Sequence, residues 1–264
     1  MKIKANGIDV NYELHGDLAG NAPWVTLSHS LACNLHMWDA QIATLSKQYR
    51  VLAYDTRGHG LTEAPAAAYT LDELADDAKA LLDALKIGST HFVGLSMGGM
   101  IGQVLELKYP GTCRTLALCD TTSRYPDAAI PMWAERVKTA STQGMEPLVA
   151  GTISRWFTDP FRAKGDPRID KVTAMIRATP PLGYAGCCEA LPKIDTTARL
   201  NTIRCPIVII VGEQDAGTPV ALSQAMHAAA PGSEMVIIPN ASHLSNVEQP
   251  EAFEKALTGF LSRH

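Results

Sequence analysis

The feature that most constrains this chain is a Gly-x-Ser-x-Gly sequence between a strand-like run and a helix-like run. Gly94 to Gly98 reads Gly-Leu-Ser-Met-Gly, with the apolar run Thr90–Val93 before it and the run Met100–Leu107 after it. A serine on so sharp a turn is held in strained backbone, which exposes its hydroxyl at the end of a sheet. Glycines belong beside it because a Cβ atom would collide with the neighbouring strand and helix. The pattern predicts that Ser96 is a nucleophile.

Length and composition limit the kind of protein this is. The 264 residues, of which 46% are hydrophobic and 19% charged, can bury a large core in one domain or in one domain with an insertion. The net charge of −4 argues against a nucleic-acid partner. No apolar stretch is long enough to span a bilayer, and the first residues lack the apolar run of a signal peptide. We therefore expect a cytoplasmic protein with neither a nucleic-acid nor a membrane partner.

The cysteines predict neither a metal site nor a disulfide framework. There are six, Cys33, Cys113, Cys119, Cys187, Cys188 and Cys205. None forms a Cys-x-x-Cys pair, and no group of histidines and cysteines has zinc-site spacing. Without an export signal we expect reduced, buried thiols, and neither a metal nor a cofactor. The adjacent Cys187 and Cys188 cannot pair with each other without severe strain, so ordinary packing is expected, with lining of the substrate pocket as the alternative.

Strand-like and helix-like runs alternate over two parts of the chain, residues 1–120 and 201–264. Such alternation predicts an α/β fold in which helices cover both faces of a mostly parallel sheet. Between residues 121 and 200 the strand-like runs disappear, and aromatic residues stand among prolines and arginines. We expect this stretch to be an α-helical cap inserted into the core. Its predicted helices are Pro131–Gln143, Glu146–Trp156, Arg168–Ala178 and Tyr184–Leu191.

Local signals predict details of the core. Asn6-Gly7 is typical of a type I′ hairpin and indicates two antiparallel edge strands at the start of the chain. Thr70 and Glu73 have the spacing of a capping box at the start of a helix. Gly88 is expected at the left-handed position that ends this helix.

A serine hydroxyl needs a base that takes its proton and an acid that orients the base. With a nucleophile elbow of this kind the three follow one another as serine, acid and histidine. Asp215 follows the apolar strand at residues 207–211, and His243 follows the last strand, so both lie on loops at strand ends. Asp120 also follows a strand and is the alternative acid. His29 and His59 precede Ser96 in the chain, which favours structural roles for both.

An oxyanion hole needs two donors aimed at the developing charge. The backbone N–H of Met97, directly after the nucleophile, is the first, and we expect the second from the loop after the third strand, at Leu31. The polar stretch from Asp55 to Gly60 looks catalytic, but we interpret it as structural. In particular, we expect Asp55 and Arg57 to satisfy the loop backbone and each other.

The whole chain resembles the α/β-hydrolase family, and this resemblance implies the α/β-hydrolase fold. Within that family, particular segments are similar to those of the 3-oxoadipate enol-lactonases: His29–Ala32, Leu35–Asp39, Tyr54–Gly60, Gly94–Gly102, Trp156–Thr158, Gly186–Leu191 and His243–Pro250. Ala32 stands where the pattern of these enzymes leads us to expect glycine. The resemblance implies a cytoplasmic enzyme of the β-ketoadipate pathway for aromatic breakdown, which opens an unsaturated lactone that carries a free carboxylate.

An anionic lactone requires a cationic partner in the pocket, and arginine binds carboxylate with a planar fork. The cap holds Arg124, Arg136, Arg155, Arg162, Arg168 and Arg177, of which we propose Arg136 and Arg155 for this role, with Trp133 and Trp156 as walls for the ring. A lysine or a backbone N–H is the alternative partner of the carboxylate. The alternatives are a broad carboxylesterase or a cofactor-free perhydrolase of the same fold. A non-catalytic small-molecule receptor is a further alternative, which the complete set of serine, acid and histidine disfavours.

Overall fold

Eight strands form one sheet, in the order β1-β2-β4-β3-β5-β6-β7-β8. The computed structural model describes all 264 residues. The strands are β1 Lys2–Ala5, β2 Ile8–His15, β3 Trp24–Ser28, β4 Arg50–Tyr54, β5 Thr90–Leu95, β6 Cys113–Cys119, β7 Ile207–Gly212 and β8 Glu234–Ile238. Neighbours from β4 to β8 are parallel, whereas β1 and β2 pair antiparallel, as do β2 and β4. The carboxyl ends of the parallel strands therefore meet at one edge, where a site is expected.

Eleven α-helices accompany the sheet. They are α1 Asp39–Leu45, α2 Leu71–Ala84, α3 Met97–Lys108, α4 Ile130–Gln143, α5 Glu146–Trp156, α6 Asp159–Ala163, α7 Pro167–Ala178, α8 Pro181–Ala190, α9 Val220–Ala229, α10 Ser245–Glu248 and α11 Pro250–Leu261. In the core, α2 packs on α3, which contacts β5 and β6, while α1 packs on α11, which contacts β7 and β8. The predicted α/β-hydrolase fold is confirmed. None of these helices combines the length and the apolar character that crossing a bilayer requires.

The central strands are buried on both faces. Every residue of β5 and of β7 is buried, and β7 reads Ile-Val-Ile-Ile-Val-Gly. Strands covered by helices on both sides are continuously apolar rather than alternating. These strands form the rigid support from which the loops of the site project.

The first hairpin has the predicted turn but a different place in the sheet. Asn6 and Gly7 have φ angles of 46° and 82°, as a type I′ turn requires. Of these two strands only β1 is an edge strand, because β2 continues into antiparallel pairing with β4, from Tyr12 opposite Tyr54 to His15 opposite Val51. The prediction of two edge strands is wrong for β2, because the hairpin signal does not show which flank has a further partner.

Helix α2 begins as predicted and ends earlier. The Thr70 side chain accepts a hydrogen bond from the Glu73 N–H, but the Glu73 carboxylate pairs with Arg57 and does not complete the predicted capping box. The left-handed residue that ends the helix is Lys86, with a φ of 58°, and not Gly88. The N–H groups of Lys86 and Ile87 donate to the carbonyls of Asp83 and Leu82, as in a Schellman motif. The buried Ile87 packs in the core and so fixes the end of the helix there.

Residues 121–200 hold helices α4 to α8 and none of the eight strands. The predicted helices are present, although α8 begins at Pro181 rather than at Tyr184, and the short α6 was missed. The α10 helix after His243 was missed as well. The division into a hydrolase core of residues 1–120 and 201–264 and a helical cap of residues 121–200 is our proposal, and "cap" is used below in this sense.

Candidate active site

The elbow holds Ser96 in strained backbone at the end of β5. Ser96 has φ 55° and ψ −113°, in the region that L-residues avoid. A Cβ on Gly94 would lie 2.2 Å from the carbonyl oxygen of Gly98, and one on Gly98 would lie 2.1 Å from that of Ser28. Both glycines are therefore required by the close approach of backbone, as the sequence predicts.

The elbow is fixed further by β6 and the residues that follow it. The Ser96 N–H donates to the carbonyl of Cys119, and the Thr121 hydroxyl donates to the carbonyl of Ser96 at 2.7 Å. The strained turn is thus over-determined by its neighbours, which is how such backbone persists in a folded protein.

Ser96, His243 and Asp215 form one hydrogen-bonded chain. His243 Nε2 lies 3.0 Å from Ser96 Oγ, and His243 Nδ1 lies 2.9 Å and 3.0 Å from the two carboxylate oxygens of Asp215. All three residues are buried. These distances suit proton transfer from serine to histidine with the carboxylate orienting the ring.

Interactions with His243 and with the residues that follow Asp215 keep this carboxylate ionised. Thr218 donates to it through its hydroxyl at 2.7 Å and its N–H at 2.9 Å, and the Gly217 N–H donates at 2.7 Å. Burial by itself would raise the pKa of Asp215, but His243 and the donors of Thr218 hold that pKa below its usual value. The carboxylate therefore faces the histidine as an anion at neutral pH.

Asp120, the alternative acid, lies outside this chain. Its carboxylate accepts from the Gly212 N–H at 2.7 Å and from the Ser245 hydroxyl at 2.5 Å, and it has no hydrogen bond to His243. Burial, and next to it the charge of Asp215, raises the pKa of Asp120 well above its usual value. The geometry favours Asp215 over Asp120 as the acid of the triad.

The two expected oxyanion donors are the N–H groups of Leu31 and Met97. Leu31 lines the pocket with Ser96, and its N–H donates to no group of the protein. Met97 is the first residue of α3, where no preceding helical turn supplies a carbonyl acceptor. Both N–H groups are available for a developing negative charge, and their role in catalysis stays a proposal.

Two buried histidines shape the loop that contains Leu31. His59 Nε2 accepts from the Ala32 N–H at 3.0 Å, and His29 Nε2 accepts from the Thr56 N–H at 2.9 Å. Burial, and then the charge of His29, lowers the pKa of His59 to about 3. Ala32 has a φ of 59°, a left-handed conformation that glycine would adopt more readily. Both histidines are neutral acceptors for loop backbone, in agreement with the structural roles expected of them.

Asp55 and Arg57 do not pair with each other, contrary to expectation. Asp55 accepts from the N–H groups of Leu35 and Leu61 and from the Asn11 amide. The Arg57 guanidinium instead forms a buried bidentate pair with Asp77 on α2, with distances of 2.6 Å and 2.7 Å. Asp77 is twenty positions away in sequence, so no local pattern pointed to it.

The cap closes the pocket over Ser96 and brings two cations into its wall. The cleft is lined by Ser30, Leu31, Ser96, Tyr125, Met132, Trp133, Arg136, Arg155, Trp156, Ala216, Gly217 and His243. All four cap residues proposed for substrate binding are among them. Tyr125 and Met132 were missed, because nothing in their local sequence distinguishes them from other cap residues.

The two arginines of the pocket have no carboxylate partner. Neither Arg136 nor Arg155 belongs to any of the ion pairs in the structure. The Arg136 guanidinium stacks over the Trp133 ring, 4.6 Å from its centroid. Burial, and next to it the charge of Arg136, lowers the pKa of Arg155. The indole N–H of Trp133 is also buried without a hydrogen-bond partner. This wall can receive an anion.

Other arginines of the cap are engaged with the protein's own acids. Arg162 pairs with Asp159, Arg168 with Asp166 and Arg177 with Glu146. None of the three lines the pocket.

The adjacent cysteines of α8 are packed away from solvent. Cys187 and Cys188 are at most 1% exposed, and burial raises the pKa of both thiols. Neither lines the pocket. The positions agree with ordinary packing rather than with contact to substrate.

Comparison with known proteins connects this site to a family. The α/β hydrolase fold family profile matches residues 23–250. The chain is 35% identical to 3-oxoadipate enol-lactonase 2 of Acinetobacter baylyi, over 99% of this chain and 96% of that protein. It is 28% identical to a putative carbamate hydrolase RutD of Pseudomonas syringae, over 95% and 98% of the two chains. The crystal structure of the enol-lactonase from Burkholderia xenovorans superposes with a TM-score of 0.96 at 37% identity, covering 99% of this chain and all of that one.

Proposed function

The chain belongs to the α/β-hydrolase family, and on that premise we propose that it hydrolyses 3-oxoadipate enol-lactone to 3-oxoadipate. Similarity to enol-lactonases over nearly the full length supports the reaction class, a carboxylic ester hydrolysis. One observation carries the choice of substrate: two arginines without carboxylate partners share the pocket with the serine nucleophile. The β-ketoadipate pathway and the cytoplasm are the setting that this substrate implies, and both stay predictions.

In the first step His243 takes the proton of Ser96 as the hydroxyl attacks the lactone carbonyl. The hydrogen bond of 3.0 Å between Nε2 and Oγ places the base for this transfer. Asp215, held ionised, stabilises the imidazolium that forms. The tetrahedral oxyanion is stabilised by the N–H groups of Leu31 and Met97, in a buried site where such hydrogen bonds are strong.

Collapse of the tetrahedral intermediate breaks the bond to the ring oxygen, which leaves as an enolate or enol. An enolate is a better leaving group than an alkoxide, so little acid assistance from His243 is needed. Water, deprotonated by His243, then attacks the acyl-enzyme at Ser96, and the enol product tautomerises to the ketone of 3-oxoadipate. Every step uses side chains and backbone groups of this chain.

The carboxylate of the lactone is bound by the cap. Arg136 and Arg155 supply the positive charge, and the Trp133 ring, over which the Arg136 guanidinium stacks, forms the adjoining wall. Burial disfavours the charged form of Arg155, and repulsion by Arg136 adds to this, so both lower the pKa of Arg155. An anionic ligand offsets this repulsion, so the cap side of the pocket favours an anion over a neutral ester.

The experiment that tests the proposal is steady-state hydrolysis of the enol-lactone with identification of the product. We expect ring opening to 3-oxoadipate, and a kcat/KM for the lactone at least about tenfold above that for simple neutral esters such as p-nitrophenyl acetate. Stoichiometric labelling of Ser96 by a fluorophosphonate serves as the active-site titration. A protein that labels and cleaves neutral esters faster than the lactone would be a broad carboxylesterase. A protein that does not label would be a non-catalytic receptor.

A further inference from the structure

One buried carboxylate joins the cap to the loop that carries the base. Glu248 is 3% exposed and ends α10, five residues after His243. Its side chain accepts from the Ser242 N–H at 2.8 Å, from the Thr158 N–H at 3.1 Å and from the Thr158 hydroxyl. No cation pairs with it. A buried carboxylate is costly unless it is hydrogen-bonded, and the hydrogen bonds of Glu248 come from neutral donors of two separate segments.

The two segments that Glu248 joins meet at further points. We call residues 155–158 the cap segment and residues 242–248 the base loop. The Leu244 N–H donates to the carbonyl of Trp156 at 3.2 Å, and the Ser242 hydroxyl donates to that of Arg155 at 2.9 Å. Together with the hydrogen bonds of Glu248, these hydrogen bonds hold the cap segment against the base loop along its length.

Both segments carry residues of the pocket. The cap segment presents Arg155 and Trp156, and the base loop presents His243. The rings of Trp156 and His243 lie 6.0 Å apart and are inclined by 31°. The position of the recognition side chains relative to the base is therefore set by the bonds between the two segments.

We propose that Glu248 is a positioning residue for substrate specificity. Through its hydrogen bonds to Thr158 and Ser242, it fixes the position of Arg155 and Trp156 relative to His243. The inference rests on the proposed function, because it assumes that Arg155 binds the carboxylate of the substrate. When the bonds to Thr158 are lost, the cap segment shifts while the triad keeps its own contacts. The enzyme then misplaces an anionic substrate by a distance that matters for attack, since near-attack geometry is sensitive to displacements of about 1 Å.

Thr158→Val and Thr158→Ser make a matched pair for the test, because valine keeps the shape of threonine without the hydroxyl and serine keeps the hydroxyl. Glu248→Gln is the second variant, since its amide must turn a donor toward either Thr158 or Ser242. Each is assayed on the enol-lactone and on its neutral carboxamide, which has the same ring and shape without the charge. Fluorophosphonate labelling of Ser96 reports on the base separately from recognition.

We expect the ratio of kcat/KM for the lactone to that for the carboxamide to fall about tenfold in Thr158→Val and Glu248→Gln, and to stay within about twofold of wild type in Thr158→Ser. The labelling rate of Thr158→Val should match that of wild type. An equal fall on both substrates, or an unchanged ratio in Thr158→Val, would overturn the proposal. Arg155→Ala and the double variant with Arg136→Ala are measured alongside: an unchanged ratio in Arg155→Ala alone would overturn the present inference, and an unchanged ratio in the double variant as well would overturn the proposed function. Should Glu248→Gln not fold, the threonine pair still decides.

Discussion

The two sides of the pocket differ in how their polar groups are satisfied. On the core side, Asp215 accepts from the histidine and from its own loop, and His29 and His59 each accept a backbone N–H. On the cap side, Arg136 and Arg155 have no carboxylate partner, and the Trp133 indole N–H has no acceptor. The triad side chains of the core side are therefore satisfied within the protein, although the Leu31 N–H and the Ser30 hydroxyl beside them have no partner. We propose that the triad is preorganised by the protein and that an anionic substrate pairs with the arginines of the cap side.

The largest expected effect is on the core side. Ser96→Ala and His243→Ala should each reduce kcat on the order of a millionfold for the lactone and for neutral esters alike, because the triad acts as a unit. The measurement is kcat for both substrates, with circular dichroism as the control for folding. If either variant lost activity only on the lactone, the proposed division, in which the core carries out the reaction and the cap binds the substrate, would be wrong.

The next largest effect distinguishes Asp215, the proposed acid of the triad, from Asp120, the other buried carboxylate. Asp215→Asn should reduce kcat by about 10⁴, because an amide holds the wrong tautomer of His243. Asp120→Asn should reduce kcat far less, because Asp120 has no hydrogen bond to His243. Kinetics of the two folded variants check this. A greater loss in Asp120→Asn would show that the acid is misassigned.

A smaller effect is the response of the core loop to acid. His59 has a folded pKa of about 3 against an ordinary value of 6.5, so the unfolded chain binds the extra proton below pH 6.5. The contribution of His59 to the free energy of unfolding is therefore constant above pH 6.5 and falls as the pH drops toward 3. His59 alone should lower the free energy of unfolding by about 2 kcal/mol between pH 6.5 and pH 5.

The measurement is urea unfolding of wild type and of His59→Gln at both pH values. Glutamine keeps an acceptor that can face the Ala32 N–H and does not titrate. The variant should lose less stability than wild type on acidification, whatever its stability at pH 6.5. An identical loss in the two proteins would place the acid sensitivity elsewhere.

The smallest effect concerns the strained loop beside the oxyanion hole. Ala32→Gly relieves a left-handed conformation that costs an L-residue about 1–2 kcal/mol, while Ala53→Gly in the middle of β4 relieves none. Both changes lose a buried methyl group and add unfolded-state entropy. Ala32→Gly should therefore be more stable than Ala53→Gly by about 1–2 kcal/mol in urea unfolding. Equal losses would mean that the loop is not strained at Ala32.

The contrast between core and cap also separates what the sequence predicts from what it does not. Ser96, Asp215 and His243 could be named because each follows a strand, and parallel strands end at one edge of the sheet. Trp133 and Arg155 could be proposed from residue type alone, and only the packing of the cap helices distinguishes the pocket arginines from Arg162, Arg168 and Arg177, whose partners lie within the cap itself.

The errors have the same cause. The left-handed residue that ends α2 is Lys86 rather than the predicted Gly88, because burial of Ile87 outweighs the conformational cost of a left-handed lysine. Arg57 forms its ion pair with Asp77 on α2 rather than with Asp55, which is closer in sequence. Local patterns predict where elements begin and which residues could react, while tertiary contacts decide which charged groups meet.

The measurement that tests the central claim most directly is the ratio of kcat/KM for the enol-lactone to that for its neutral carboxamide, in wild type, Arg136→Ala, Arg155→Ala and the double variant. Truncating at least one arginine should cost about 2–4 kcal/mol on the lactone, or about 30- to 1000-fold, and leave the carboxamide within about threefold, because the triad is untouched. An unchanged ratio in all three variants would contradict the account, since the carboxylate would then be held by some other group.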